Sequence, residues 1–351
     1  MSNQLYIEEP EAGEFRPRRR KKRRHPVRTT VLVLLGLVLA AAAMAGGYVW
    51  NLANTFNSKT ETIASAFPDE ADRPAKSDGS MNILLLGSDV RGGSGETENL
   101  NGVPNGGRSD TMMLMHIPSN RQNVYVMSIM RDTWTDIPGY GEHKINSAMA
   151  FGGVPLLVQT LEGLFDTRVD HVAIIDFAGF KNLTDALGGV EINNPTAFSA
   201  VGQDGVYFPQ GVQTLNGEQA LKFVRERKAF SDGDYQRVKN QQLFVKAVMA
   251  RFLNAETLTN PARINGAVSE FAPYLSVDSG LDAATVGSLG VGLRDIRNDD
   301  IHFFTLPNQG IGTSADGQSI ILKDQAAIDA IAAAMKADQF DDYWASAEAG
   351  S

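Results

Sequence analysis

The stretch N-I-L-L-L-G-S-D at residues 82–89 decides the fold. Its short apolar run is unbroken and closed by Gly87, which is typical of a strand buried on both faces of a sheet. Two more apolar runs, Thr111–Ile117 and Asn123–Ile129, are separated only by the turn P-S-N-R. Because short turns join antiparallel neighbours, these two runs predict a hairpin in the same sheet.

Strand-like and helical segments alternate irregularly through the rest of the chain. Further strands are predicted at His171–Asp176, Val190–Asn193 and Ile301–Leu306. Helical periodicity and end signals predict helices at Asn146–Phe151, Pro155–Phe165, Phe177–Leu187, Asn216–Glu226, Tyr235–Leu253, Arg263–Ala272, Ala283–Leu293 and Asp324–Lys336. This order predicts one α/β domain over residues 80–340, a mixed sheet covered by helices in an α-β-α sandwich.

The composition of the first 50 residues is typical of a membrane anchor. Residues 1–30 hold nine Lys/Arg against four Asp/Glu, and residues 31–50 are uncharged. About 20 apolar residues cross a hydrocarbon core of about 30 Å. The positive-inside bias then predicts a single-pass protein with a cytoplasmic tail at 1–30, an uncleaved signal anchor at 31–50 and an extracytoplasmic stalk at 51–79. Residues 341–351 are predicted to be a C-terminal tail.

Two other interpretations of this region remain open. Small residues at 41–47 would suit a cleaved signal peptide, although the apolar run exceeds the ~7–15 residues of a typical signal core. The basic run 16–28 would suit a nucleic-acid tail. Residues 31–351 hold 23 Lys/Arg against 37 Asp/Glu, however, so no nucleic-acid partner is expected for the domain.

Composition also excludes several kinds of site. The chain has no cysteine, and its five histidines show neither H-x-x-x-H nor H-E-x-x-H spacing. Because there is no cysteine, disulfides and zinc-thiolate sites are excluded. The histidine spacing disfavours a zinc hydrolase.

The segment R-E-R-K-A-F-S-D-G-D-Y-Q-R-V-K-N-Q at 225–241 carries the densest chemistry. Arg237 and Gln241 are four apart and project from one helix face, with Asp234 in or before the first turn. Guanidinium groups bind phosphate oxygens bidentately, so the segment predicts a phosphate-binding site. Arg225 and Arg227 cannot share a helix face, so their loop must aim both inward. Charged neighbours in the segment are predicted to be solvated: Glu226, Lys228 and Lys239.

Carboxylates near the ends of predicted strands suggest a metal site. Asp89 follows the first strand and Asp110 precedes the second, so both could meet at one edge of the sheet. Paired carboxylates suit Mg²⁺ that also binds substrate phosphate. The alternative is that each aspartate caps a turn.

A second cluster of charged residues follows the third predicted strand. Arg131 and Asp132 come directly after it, and Lys144 and Asn146 are predicted at the start of a helix, whose free N–H groups favour phosphate. A simple salt bridge to Arg131 explains this segment equally well.

Six blocks in order resemble the LytR-CpsA-Psr family over about 82–253, half of the chain. They are N-I-L-L-L-G-S-D-V-R (82–91), R-S-D-T (108–111), S-I-M-R-D-T (128–133), H-K-I-N-S-A (143–148), D-A-L-G-G-V (185–190) and L-N-G-E-Q-A-L-K-F-V-R-E-R-K (215–228). D-G-D-Y-Q-R-V-K-N-Q-Q (232–242) continues the match. The family also combines a short cytoplasmic tail, one membrane helix and an extracytoplasmic domain.

The resemblance implies a phosphotransferase that moves a glycopolymer from a polyprenyl-pyrophosphate carrier in the membrane to peptidoglycan through a phosphodiester. It implies Mg²⁺, or Mn²⁺, on Asp89 and Asp110. The pyrophosphate-binding set it implies is Arg91, Arg108, Arg131, Lys144, Arg225, Arg227, Arg237 and Gln241. The catalytic set is Arg131, Asp132, Asp234, Arg225 and Arg227, with either Asp132 or Asp234 as the base.

The resemblance leaves other functions and the lipid site open. An envelope-linked transcriptional attenuator and a polyprenyl pyrophosphatase are the alternatives, and arabinogalactan, wall teichoic acid and capsular polysaccharide would share one pyrophosphate grip. The candidates for lining a hydrophobic lipid groove are otherwise core residues: Leu156, Leu157, Leu161, Phe165, Phe244, Val248 and Phe252.

Overall fold

The computed structural model describes most of the predicted domain. The described residues are 46–76, 79–88, 109–202, 205–252, 264–266, 268–269 and 272–349. The chain divides into two units, residues 1–50 and 51–351. Residues 46–50 of the first unit are helical. The predicted tail and most of the predicted anchor lie outside the described residues.

The second unit contains both strands and helices. Its strands are β1 (Glu61–Ile63), β2 (Met81–Ser88), β3 (Ser109–Ile117), β4 (Val124–Ile129), β5 (Trp134–Ile137), β6 (Gly141–Lys144), β7 (His171–Asp176), β8 (Val190–Asn194), β9 (Phe198–Ser199), β10 (Tyr207–Phe208), β11 (Gly211–Leu215), β12 (Leu275–Asp278), β13 (Ile301–Thr305), β14 (Asn308–Thr313) and β15 (Ser319–Lys323). Its longer helices are α1 (51–59), α2 (Ser147–Phe165), α3 (Phe177–Ala186), α4 (Gly217–Arg225), α5 (Asp234–Phe252), α6 (Ala283–Gly292), α7 (Gln325–Lys336) and α8 (Phe340–Ala349).

Seven strands form the central mixed sheet in the order β1-β12-β7-β2-β3-β4-β13. The predicted hairpin is confirmed, since β3 and β4 pair antiparallel. The opening strand β2 is central, as its apolar run predicted, and pairs antiparallel with β3 and parallel with β7. The sheet therefore brings the carboxyl ends of β2 and β7 together, with Ser88 opposite Asp176.

Helices cover both faces of the sheet because its strands are apolar on both sides. Leu84 and Leu86 belong to the cluster shared with α2 and α7, whereas Ile83 belongs to the cluster packed against α5 and α6. Alternate residues of one strand point to opposite faces, so a single apolar run serves both layers. The predicted mixed-sheet sandwich is confirmed.

Helix α2 is a kinked core helix. Gly152 and Gly153 leave helical geometry, Gly153 with a φ of 67° that favours glycine, and Pro155 follows. This break explains why the sequence predicted two helices. By length and composition, α2 is the one helix in the described part of the chain that matches a membrane span. It packs in the core: Leu157, Leu161 and Phe165 are buried there, and the partly buried Leu156 packs against them. Of the two roles that the sequence left open for these residues, core or lipid groove, the structure therefore supports the core.

The structure differs from the predicted stalk because part of it belongs to the folded unit. Residues 61–63 form β1, which pairs parallel with β12 at the edge of the sheet. Arg73 is buried and its Nη2 donates to Glu162 Oε1 at 2.7 Å, a pair that ties this segment to α2. The polar composition concealed both features, because a short edge strand needs few apolar residues.

The predicted C-terminal tail also belongs to the folded unit. Its residues form most of α8, whose first residue, Phe340, is buried beside Tyr125 with ring centroids 4.5 Å apart. The Tyr125 hydroxyl donates to Asp341 Oδ1 at 2.6 Å. Helix α8 therefore closes one face of the sheet.

Candidate active site

A cavity of about 370 Å³ opens beside the ends of β2 and β7. This volume lies in the range of ~300–1,000 Å³ that is usual for ligand sites. Its inner wall is apolar and is formed by side chains from the sheet and from α3, α4 and α5: Leu85, Met113, Ala173, Ile175, Phe180, Leu221, Val224, Phe244, Val245 and Leu275. The polar groups are a separate set: Arg131, Asp176, Arg225, Arg227, Arg237 and Gln241. The site therefore combines an apolar chamber with a cationic border.

The lining of the cavity agrees with part of the prediction of a lipid groove. Phe244 lines it, as proposed from the sequence, and Val248 packs beside the cluster that contains Phe244. The side chain of Phe252 lies outside the described residues. The groove is thus formed by α5 and its neighbours, on the face of the sheet opposite α2.

Arg225 and Arg227 reach one cavity because the chain becomes extended between them. Helix α4 ends at Arg225, and Glu226 has φ −68° and ψ 130°. In extended backbone, residues two apart point to the same side, so the two arginines are presented together while Glu226 turns away. The Arg225 guanidinium also lies 4.3 Å from the centre of the Phe177 ring, a cation–π contact that orients it.

The prediction that Glu226 is a solvated surface residue was wrong, because only 2% of this residue is exposed. Its Oε1 accepts from the backbone N–H groups of Arg227, Lys228 and Ala229, and its Oε2 accepts from Val201 N at 2.8 Å. One carboxylate thus fixes the turn that carries Arg227. The other two residues predicted to be solvated, Lys228 and Lys239, are exposed as expected.

A Glu226→Gln substitution is expected to lower the free energy of unfolding by about 1–3 kcal/mol. The glutamine side chain keeps one acceptor oxygen, but its NH₂ group replaces the other. That group cannot accept the backbone hydrogen bond that the second carboxylate oxygen accepted. Chemical denaturation measures this loss, with the exposed Glu218→Gln on α4 as the matched control. Equal stability of the two variants would contradict the role assigned to Glu226.

Asp234 is the centre of the cationic border. It begins α5, and its carboxylate lies 3.3 Å from Arg131 Nε, 3.4 Å from Arg227 Nη1 and 3.1 Å from Arg237 Nη2. Three guanidinium groups from three parts of the chain are therefore held around one carboxylate. Arg237 and Gln241 line the cavity together, which confirms that their spacing of four places both on one face of α5.

Arg131 connects this cluster to a second one. Its Nε lies 3.5 Å from Asp132 Oδ2, and Lys144 Nζ lies 3.2 Å from Asp132 Oδ1. Arg131 thus makes the salt bridges that the sequence left as an alternative, and it also lines the cavity. The prediction that Lys144 lies at the start of a helix was wrong. Lys144 ends β6, and α2 begins only at Ser147. The β5–β6 hairpin, which the sequence did not reveal, positions Lys144.

The β14–β15 ribbon supports the backbone of this second cluster. Ile321 N donates to Asp132 O at 2.9 Å, and Lys323 Nζ donates to Thr135 Oγ1 at 3.4 Å. Ile321 also packs with Met130 and Val238 in a small apolar cluster. The ribbon therefore holds the strand end that presents Arg131 and Asp132.

Asp176 lines the cavity but was not predicted to be a site residue. It ends β7 and caps α3, accepting from Gly179 N at 2.6 Å. Burial raises the pKa of its carboxyl group. A signal was present, because Asp176 is the last residue of a predicted strand, close to the position that Asp89 and Asp132 take after theirs.

Several predicted residues lie outside the described residues: Asp89, Arg91, Arg108 and the loop 92–107, together with the side chain of Asp110. The backbone places Ser88 opposite Ser109, with a register shift beside Gly87. Asp110 is therefore the second residue of β3, at the end that pairs with the last residue of β2. The two aspartates proposed as ligands carry carboxylates, the type of group that Mg²⁺ prefers. The magnesium site remains a prediction.

Comparison with known proteins identifies the family. A model of the LytR_cpsA_psr family matches residues 47–337, so the chain belongs to this family. The family assignment made from the sequence blocks is thereby confirmed.

Three similar proteins illustrate the match. The polyisoprenyl-teichoic acid–peptidoglycan teichoic acid transferase TagU of Enterococcus faecalis is 34% identical over 68% of this chain and 75% of its own length. The protein of the same name from Oceanobacillus iheyensis is 32% identical over 86% of this chain and 90% of its own length. The LytR-Csp2A-Psr enzyme from Actinomyces oris has the same fold, with a TM-score of 0.61 at 20% identity over 79% of this chain and 96% of its own.

Proposed function

We propose that the protein transfers a glycopolymer from a polyprenyl-pyrophosphate carrier to peptidoglycan, forming a phosphodiester. The observation that supports this proposal is the apolar cavity bordered by Arg131, Arg225, Arg227 and Arg237. Such a site suits a ligand with an apolar chain joined to a doubly charged head. The TagU relatives bear the name of an enzyme that acts on a polyisoprenyl-linked polymer and peptidoglycan.

The charge of the described site matches a pyrophosphate diester. Five cationic side chains line or adjoin the cavity: Arg131, Lys144, Arg225, Arg227 and Arg237. Three carboxylates offset them: Asp132, Asp176 and Asp234. When all three are ionised, an excess of two positive charges meets the two negative charges of a pyrophosphate diester, and the guanidiniums can bind its oxygens bidentately.

In the proposed reaction, an acceptor hydroxyl oxygen forms a bond to the phosphorus next to the glycan. The bond from this phosphorus to the bridging oxygen breaks, and polyprenyl phosphate leaves with the electron pair. The arginines stabilise the charge that develops on the phosphate oxygens. If Mg²⁺ or Mn²⁺ binds Asp89 and Asp110, it supplies further neutralisation of that charge.

The surroundings of the two candidate bases favour Asp132. Both oxygens of Asp234 face guanidinium groups, so its role is to organise the arginines. Asp132 faces Lys144 and a more distant Arg131 nitrogen, and 24% of its side chain is exposed. Asp132 can therefore accept the proton of the incoming hydroxyl.

The proposed location is the outer face of a membrane. Residues 31–50 would anchor the chain, with 1–30 in the cytoplasm and the domain outside, beside a carrier lipid that stays in the bilayer. The alternative of an envelope regulator rests on residues 16–28, which lie outside the described residues. Neither alternative function is favoured by a contact among the described residues.

Purified full-length protein in detergent tests this proposal. We expect it to convert a polyprenyl-pyrophosphate-linked glycan and a peptidoglycan oligosaccharide into the phosphodiester-linked product plus polyprenyl phosphate, detected by mass spectrometry. Cleavage of the carrier at the same rate without acceptor, and no joined product with it, would instead identify a pyrophosphatase. Omitting divalent cations tests the predicted magnesium dependence.

A further inference from the structure

Four aromatic side chains form a continuous surface on and beside the β5–β6 hairpin. Tyr140 and Phe151 stack with ring centroids 4.6 Å apart, Phe151 meets His143 edge-on at 5.1 Å, and His143 lies 6.2 Å from Trp134. We call these four residues the aromatic platform. Tyr140 is 50% exposed and Phe151 is 39% exposed. Large rings that pack together and still face water indicate a binding surface.

A chain of direct contacts connects the platform to the candidate active site. Trp134 pairs directly with Lys144 across the hairpin, and directly paired residues lie about 4.5–5.5 Å apart at Cβ. Lys144 in turn contacts Asp132, which contacts Arg131 at the cavity. Trp134 of the platform is therefore connected to the proposed base, Asp132, through Lys144 alone.

The platform lies outside the cavity. Arg131 lines the cavity, whereas Lys144 and the four platform residues are not among its described lining residues. In phosphoryl transfer, the attacking and leaving oxygens lie roughly in line through the phosphorus. If polyprenyl phosphate leaves toward the apolar cavity, its attacker must arrive from outside the cavity, and the platform is an exposed surface outside it.

The chemistry of the platform suits a sugar. A pyranose ring has an apolar face of C–H groups that packs flat against an aromatic ring, while its hydroxyls remain available to polar neighbours. Such a neighbour is present, since Glu142 is exposed on the same hairpin, whereas the Tyr140 hydroxyl already donates to Phe151 O at 3.4 Å. Tyrosine and tryptophan provide broad, rigid contact area at low entropic cost.

We infer that the aromatic platform binds the glycan strand of the peptidoglycan acceptor and directs its hydroxyl toward Asp132. This inference rests on the proposed function for the identity of the acceptor. It goes further by locating the acceptor site on the β5–β6 hairpin, separate from the donor site in the cavity.

Two measurements on the full-length protein in detergent test the inference. Isothermal titration with oligosaccharides of alternating N-acetylglucosamine and N-acetylmuramic acid gives the Kd without any reaction, and transfer kinetics give KM for acceptor and donor separately. We expect Tyr140→Ala and Phe151→Ala each to raise the oligosaccharide Kd and the acceptor KM about five- to tenfold, in line with ~1 kcal/mol for one aromatic contact. The donor KM should stay at the wild-type value.

Two controls separate binding from folding. Tyr140→Phe retains the ring and should keep the wild-type Kd, while Tyr207→Ala removes a tyrosine on β10 that is even more exposed than Tyr140 and should change neither constant. Wild-type Kd values in both Tyr140→Ala and Phe151→Ala would overturn the inference, as would a rise in donor KM without a rise in acceptor KM. Weakened oligosaccharide binding would support the acceptor site even if no transfer occurred, in which case only the proposed function would fail.

Discussion

An Arg237→Ala variant is expected to transfer glycan with a kcat/KM about 10²- to 10³-fold below the wild-type value, the usual loss for one preorganised donor at a developing negative charge. Arg237 is buried, lines the cavity and holds Asp234 Oδ2 at 3.1 Å. Its removal deletes one cation of the pyrophosphate site and one of the three guanidiniums around Asp234. Steady-state transfer kinetics measure the effect.

Matched variants distinguish this role from a loss of folding. Arg237→Lys restores the charge without the planar fork, so we expect it to remain at least about tenfold impaired. Arg294→Ala removes an exposed arginine beside Asp295 and should behave as wild type. A stably folded Arg237→Ala protein with wild-type kcat/KM would refute the assignment of Arg237 to the pyrophosphate site.

A Leu221→Trp variant is expected to raise the KM for a long-chain polyprenyl donor by about 30- to 100-fold. Leu221 lines the cavity from α4, and the larger ring would occupy space used by the lipid. Excluding three or so methylene groups from an apolar site costs about 2–3 kcal/mol, which gives that range. A water-soluble donor with the same pyrophosphate and a very short chain should be affected far less.

The stability of the same variant provides an internal check. Filling an apolar cavity adds contacts, so the unfolding temperature of Leu221→Trp should not fall. Val212→Trp introduces the same ring at an exposed position on β11 and should leave the donor KM unchanged. A long-chain donor KM in Leu221→Trp that stays at the wild-type value would show that the lipid lies elsewhere.

The parts of the structure that follow a periodic pattern were predictable from the sequence. The unbroken run in β2 predicted a central strand, and the spacing of Arg237 and Gln241 predicted their common direction. Both predictions rest on local geometry, since strand alternation and the helical turn are fixed by the backbone. The prediction that loop geometry must aim Arg225 and Arg227 inward was also correct.

The parts that have no apolar pattern of their own were not predictable. Glu226 resembles a solvated residue in a charged run, yet it is buried because four backbone N–H groups surround it. Lys144 resembles a residue of a helix start, yet a hairpin with few apolar residues positions it. Edge strand β1 likewise gains its partner, β12, from more than 200 residues later in the chain.

The ribbon contact beside Asp132 has a consequence for the kinetics of folding. Lys323 and Thr135 bond across a separation of 188 residues, so the support of Asp132 has a high contact order. Contacts of this kind form slowly because the chain must first close a long loop. If residues 31–50 anchor the chain as proposed, the residues nearest the anchor cross the membrane first, so the cavity walls can assemble before β15 emerges and gives Asp132 its backbone support. Under that proposed topology, the surroundings of Asp132 would be completed last, when the whole domain is already outside the membrane.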